Sequence, residues 1–264
     1  MSTTVRINKY LSESGFCSRR EADKYIQAGR VMLNGKAADL GSQVGPADQV
    51  TVDGQPISNQ EVKRVYLAFN KPRGIECTTH QGVKNNVVDY IRFQERIFPI
   101  GRLDKDSEGL LLLTNDGDIV NDILRARHGH EKEYVVEVNK PIQPDFAARM
   151  SKGIPILGTV TLPCKVKVLG PQLFSIILTQ GLNRRIRRMC EYLGYQVIAL
   201  KRVRIMHIRL DLPTGAHRLL RPDEIQQLLA DLEQKTSSTP PTQPQPKSHT
   251  KHVNHQRRPR PRTS

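Results

Sequence analysis

The sequence predicts an α+β protein in which a small helix-and-hairpin module precedes a larger mixed-sheet domain. Three observations carry this reading. From residue 63 to 234, strand-like and helix-like segments follow one another without the regular βαβ rhythm of a parallel sheet. The first sixty residues hold two short amphipathic helical patterns and then two strand–turn–strand signals. The segment from 235 to the end holds six of the 17 prolines and almost no apolar side chain. Such a composition cannot bury enough surface to offset the entropy of ordering. The expected division is therefore 1–62, 63–234, and a disordered, basic, Pro-rich tail over 235–264.

The elements can be justified in turn. "VRINKYLSESG" puts Ile7, Tyr10 and Leu11 at helical spacing and stops at Gly15. "SRREADKYIQAG" opens on Ser18 with Glu21 three residues on, a capping-box signature, and Ala22, Tyr25 and Ile26 give it an apolar face. Gly29 suits the residue after the helix. Asn34-Gly35 and Asp53-Gly54 each interrupt an alternating pattern and predict hairpins. Beyond 63, "VYLAFNKP", "GLLLLTN", "KEYVVEV", "PCKVKVL", "LFSIILTQ" and "YQVIALKRVRIMHIRLDL" read as strands. "DIVNDILRAR", "QPDFAARMSKG", "LNRRIRRMCEYLG" and "RPDEIQQLLADLEQ" read as helices, with Pro222 suited to a first turn.

Charge narrows the function. The chain carries a formal +15 and a pI near 9.9, which favours a polyanionic partner. Residues 1–62 are neutral overall, with seven Lys/Arg and seven Asp/Glu, and the tail carries +7, leaving +8 for 63–234. The neutral module is nonetheless polarised. Arg6, Lys9, Arg19, Arg20, Lys24 and Arg30 fall in its first thirty residues against three acids, and as a group they predict contact with RNA. No apolar run is long enough to span a bilayer and the N-terminus has no secretory h-region, so no membrane association is expected. Cys17, Cys77, Cys164 and Cys190 form no CxxC pair, which argues against a zinc site or disulfide framework and for a reducing cytoplasm. Dinucleotide, phosphate-loop and deaminase signatures are absent, so neither metal nor cofactor is expected. Nothing predicts an obligate oligomer, and a monomer is the expectation.

"PIGRLDKDSEGLLLLTNDG" sets Asp104 between Arg102 and Lys105 ahead of four leucines. If the segment is extended, Arg102 and Asp104 share one face while Leu103 turns to the core. Cationic neighbours favour an ionised carboxylate, suited to a nucleophile or base rather than a general acid. On the residues alone, an ordinary salt bridge stands beside that reading. Asp106 and Glu108 fall in the following turn, so the paired carboxylates of a glycosidase are unsupported. In "QGLNRRIRRMCEYLG", Ile186, Met189, Cys190 and Leu193 share an apolar face and Asn183 suits the N-cap. Arg184, Arg185, Arg187 and Arg188 then occupy the remainder, with arginines in the first turn against the helix dipole, an arrangement that calls for a nearby anion. Lys201, Arg202 and Arg204 extend the basic surface. In "HEKEYVVEV", Tyr134 shares a strand face with Lys132, as a base-stacking aromatic or as an ordinary sheet tyrosine. His128 and His130 read as surface or RNA-facing.

Together these phrases carry a resemblance. Residues 5–60 resemble the RNA-binding module of ribosomal protein S4. "FNKPRG", "PIGRLDKDSEGLLLLTNDGD", "EKEYVVEV" and "LNRRIRRM" follow it in the order found in pseudouridine synthases of the RsuA type. The resemblance implies a largely antiparallel catalytic sheet and an isomerase that needs no cofactor or metal. It implies that Asp104 is the attacking aspartate, Tyr134 stacks on the flipped base, Arg187 pairs with the aspartate, and Arg102 fills the gap left by the extruded base. "YLSESGFCSRREADKYI", "PILGTV" and "KRVRIM" point to a member acting on large-subunit ribosomal RNA or its assembly intermediate, with a transfer RNA as second substrate. Arg185 stands where the family has glutamine in "NRQIRR". The reading from another class is a non-catalytic S4-domain RNA-binding or ribosome-assembly protein, which need not retain Asp104, Tyr134 and Arg187 together.

Overall fold

The computed structural model describes residues 4–58, 63–80, 82–124, 129–179 and 184–237. Its N-terminal module follows the sequence closely. Strand β1 (Val5–Arg6) leads into α1 (Ile7–Glu13), and α2 (Arg19–Gln27) follows. The Glu21 amide donates to Ser18 Oγ at 3.2 Å and the Ser18 amide donates to the Glu21 carboxylate at 2.8 Å, so the capping box is complete. Then come β2 (Val31–Leu33), β3 (Lys36–Ala37), β4 (Gln43–Val44), β5 (Val50–Val52) and β6 (Gln55–Ile57). Both residues of Asn34-Gly35 and of Asp53-Gly54 have positive φ, the type I′ geometry that matches hairpin twist. The strands order as β3-β2-β5-β6, while β4 returns to β1. Ile7, Leu11, Ala22, Ile26, Val31 and Val50 close a core of their own.

The larger domain runs β7 (Tyr66–Lys71), α3 (Val87–Ile91), β8 (Phe98–Ile100), β9 (Glu108–Thr114), α4 (Gly117–Leu124), β10 (Lys132–Val138) and α5 (Phe146–Ser151). It continues through β11 (Pro155–Ile156), β12 (Thr159–Val160), β13 (Lys165–Gly170), β14 (Leu173–Leu178), α6 (Arg185–Tyr192), β15 (Val197–Ile205), β16 (Ile208–Arg209), β17 (His217–Leu219) and α7 (Pro222–Ser237). Every strand and helix expected beyond 63 has its counterpart. The sheet orders as β13-β14-β10-β15-β9-β7-β17, with β8 on β9 and β16 on β15. All its pairings are antiparallel except β9 with β15, joined through only Glu108↔Lys201 and Gly109↔Arg202. Leucines 110 to 113 are buried on both faces of β9, two in each of two apolar clusters.

Seven short elements went unpredicted: β1, β4, α3, β8, β11, β12 and β17. Helix α3 spans five residues, too few for a periodic signal, and forms because Asn86 caps the amides of Val88 and Asp89 at 3.0 and 2.9 Å. Strands β8 and β17 have three residues each. The two modules touch through Lys9, whose ammonium lies 2.8 Å from Asp118, and through Arg96, which donates to the Cys17 carbonyl at 3.1 Å. Among the described residues no helix is long and apolar enough to cross a membrane.

Candidate active site

The sheet register brings the chemistry together. Across neighbouring strands, Ile176, Tyr134, Arg202, Gly109 and Lys71 form one row. The segment that precedes Gly109 therefore hangs beside the start of β10. That segment is extended only to Ile100. Gly101 turns it at φ 79°, and a turn closes where the Ser107 amide donates to the Asp104 carbonyl at 3.0 Å. The fully extended "IGRLD" is thus corrected, because the chain must reverse to enter β9. Leu103 is buried as expected, but it lines the same cavity of about 110 Å³ as Arg102 and Asp104. Tyr134, Arg184, Arg185, Arg187, Leu178 and Leu200 complete its wall.

Buried cations fix this loop from below. Lys71, fully buried, donates to the carbonyls of Pro72 and Ile75 at 2.8 and 2.9 Å and reaches that of Lys105 at 3.5 Å. The Gly74 amide also donates to Lys105, at 2.8 Å. Arg202 donates to Leu110 at 2.7 Å and reaches Arg102 at 3.5 Å, both through backbone carbonyls. Arg187 donates to the carbonyls of Val197 and Asp106 at 3.2 and 3.3 Å and to Ser107 Oγ at 3.4 Å. Burial pushes Lys71 and Arg187 below their ordinary ranges, and the negative charges of Asp104 and Asp106 oppose that shift in both. A guanidinium remains protonated regardless.

Several sequence expectations change here. The cation that pairs with Asp104 within 4 Å, among the described residues, is Arg184, at 3.8 Å, rather than Arg187. Arg187 instead grips the backbone of the loop that carries Asp104. Asn183 lies outside the described residues; the N-cap position of α6 is taken by Arg184 in the left-handed region, φ 47°. Arg185 and Arg187 are buried rather than part of a basic surface, and Arg185 donates to the Leu162 carbonyl at 2.8 Å. Arg188 is half-buried. Arg202 is buried too, and Arg204 is paired with Glu133 and Glu131 at 2.9 and 3.0 Å. His130 is buried, not surface; His128 lies outside the described residues, and so does the tail from 238, while 235–237, expected as tail, continue α7.

In the N-terminal module, Arg6, Arg19, Arg20 and Lys24 are exposed, three of them on α2. Lys9 is held between Glu13 and Asp118, and Arg30 forms a bidentate pair with Asp53 at 2.8 and 2.5 Å over the Tyr25 ring. These two are occupied by the protein itself, which one-dimensional charge counting cannot reveal. Sequence reasoning missed Lys71 and Ser107 altogether. A lysine closing the apolar run "YLAFNK" was the available signal, since β7 is buried along its whole length.

Comparison with known proteins agrees with this geometry. Residues 65–192 match the family described as RNA pseudouridylate synthase, and residues 5–50 match the S4 domain. The dual-specificity RNA pseudouridine synthase RluF of Escherichia coli K12 is 55% identical over 241 residues, covering 90% of this chain and 83% of that protein. The chain belongs to the RsuA-type RNA pseudouridine synthases. The ribosomal large subunit pseudouridine synthase B of Bacillus subtilis is 35% identical to this synthase, covering 85% and 96% of the two chains. A solved pseudouridylate synthase superposes with a TM-score of 0.62 at 28% identity, covering 85% of this chain and 99% of its own. The synthase is an isomerase, turning uridine in RNA into pseudouridine.

One titration in the synthase is testable directly. Burial, with Arg202 adding to it, pushes the Lys132 ammonium down to about 8. Between there and the ordinary lysine range, the unfolded chain keeps a proton that the folded protein has shed, so stability rises with pH. That contribution is complete above the ordinary range and is lost as pH falls through about 8. Lys132→Met is expected to be more stable than wild type near neutral pH, with the gap shrinking toward about pH 10 in parallel thermal melts.

Proposed function

We propose that Asp104 attacks a uridine in large-subunit (23S) ribosomal RNA, with a transfer RNA as second substrate. The attack, on the sugar or on the base ring, leads to cleavage of the N1–C1′ bond. The uracil turns while held in the site, C5 bonds to C1′, the bond from Asp104 breaks to restore its carboxylate, and the hydrogen on C5 is released as a proton while N1 takes one up. Atoms balance without a co-reactant. Tyr134 stacks on the flipped base, Arg184 faces the carboxylate, Arg187 positions its loop, and Arg102 fills the vacated place in the RNA stack. Flipping costs a few kcal/mol, which phosphate contacts from Arg6, Arg19, Arg20 and Lys24 on the 1–62 module offset.

The observation that carries this reading is the single cavity shared by Asp104, Tyr134 and Arg184. The large subunit is supported by the name of the B. subtilis relative, a second substrate by the dual specificity in the name of the E. coli relative, and an RNA partner by the charge of +15. The synthase works as a monomer in the cytoplasm, a compartment that suits its four free cysteines. The basic tail beyond 234 acts as a non-specific RNA tether. The test is tritium release from unmodified RNA labelled at uridine C5. Release is expected from large-subunit RNA and from transfer RNA; release from small-subunit RNA alone would overturn the substrate assignment.

A further inference from the structure

The turn between β11 and β12 carries a leucine where the backbone favours glycine or asparagine. Leu157 has φ 51°, a region costly for a branched L side chain. Packing does not compensate, because Leu157 is 55% exposed, with Val160 at 63% and Leu162 at 51%. Met206, in the corresponding place between β15 and β16, also has positive φ but is only 8% exposed. A strained, large side chain left facing solvent points to a contact outside the protein.

The hairpin is built as a stiff projection. Ile154 and Ile156 are buried beneath it. The Ile154 amide donates to Thr161 Oγ1 at 2.9 Å and the Thr161 amide donates to the Ile154 carbonyl at 3.0 Å. Gly153 lets the strands close, since a Cβ there would meet the Thr161 carbonyl oxygen at 2.5 Å. The projection is also joined to the cavity: Arg185, in the cavity wall, donates to the Leu162 carbonyl. The surrounding sequence identifies the partner. Residues 146–190 contain eight Lys/Arg and not one Asp or Glu; Arg149, Lys165 and Arg184 meet carboxylates and Arg185 and Arg187 are buried, which leaves Lys152 and Lys167 exposed on this stretch. An apolar tip inside an acid-free stretch suits a polyanion with exposed bases better than a protein surface.

We propose that the β11–β12 hairpin is a second RNA contact, in which Leu157, with Val160 and Leu162 beside it, packs against an unpaired base near the flipped uridine. This rests on the substrate reading above. The test is Leu157→Asn, because asparagine suits the left-handed turn and keeps the fold. On an in vitro transcript of the large-subunit RNA, the KM from tritium release and the Kd from filter binding are expected to rise together, roughly tenfold. The kcat is expected to hold, and the Tm to stay level or rise by ~2 °C. An unchanged Kd with the Tm preserved overturns the proposal and leaves the patch to a protein partner or a second copy. A fall in kcat at constant Kd overturns it as well, pointing to an effect through Arg185. Wild type binding but not turning over this RNA would sink the substrate reading alone, since Kd still reads the hairpin.

Discussion

Asp104→Asn is expected to abolish turnover and leave RNA binding intact. The amide keeps the size of the carboxylate but cannot form the bond to the uridine, and removal of a nucleophile lowers kcat by at least about 10⁴-fold. The side chain is 37% exposed and its ion pair with Arg184 spans 3.8 Å, a contact of little consequence for folding. The turn behind it depends on the Asp104 carbonyl, which the substitution retains. The Tm and the Kd for RNA are therefore expected to match wild type, while tritium release falls below detection. Release at the wild-type rate would remove Asp104 from the chemistry. Parallel loss of RNA affinity and release would favour a role in binding.

The role of Asp104 as nucleophile entered only with the family resemblance, but as a candidate, beside an ordinary salt bridge, it drew notice because its neighbours are close in sequence. Two cations and a buried strand announce it within a dozen residues, and the capping box, the two I′ turns and the α6 apolar face were legible for the same reason. What stayed hidden depends on contacts between distant segments. Arg187 and Arg202 look alike in sequence to Arg184 and Arg204. Only folding sends the first pair inward to carbonyls of the Asp104 loop and of β9, leaving the second pair to carboxylates. Lys9 was read as an RNA ligand because Asp118, its partner, lies more than a hundred residues away.

Gly109→Ala is expected to be the most damaging single-methyl change in the chain. Gly109 sits at φ 106°, and a Cβ there would lie 2.3 Å from the Arg202 carbonyl oxygen and 2.6 Å from its nitrogen. Both are backbone atoms of β15, and no rotamer relieves the clash. Overpacking combined with a forbidden backbone region exceeds ~4 kcal/mol, equivalent to a fall of roughly 8–16 °C in Tm for a domain of this size. Gly35→Ala is the comparison: at φ 77° it carries milder left-handed strain and its methyl meets nothing within 4 Å, so its cost is limited to ~1–2 kcal/mol. Thermal unfolding of the two variants sets close approach against left-handed strain alone. Equal melting points would show that β9 and β15 can part by several tenths of an ångström without penalty.

The parallel pairing at Gly109 divides the sheet into unequal territories. On one side, β13, β14, β10 and β15 with α5 and α6 enclose the core around Phe146, Phe174 and Met189. On the other, β9, β7 and β17 carry the leucine-rich clusters. Asp104 belongs to the second territory, Tyr134 and Arg184 to the first. The join is held by two strand residue pairs, by Arg202 on the Leu110 carbonyl, by Arg187 on the Asp106 carbonyl, and by Ile205 and Ile208 packed with Leu110 and Leu112. Neither half contains a reactive centre. The proposed active centre is therefore assembled only across that seam.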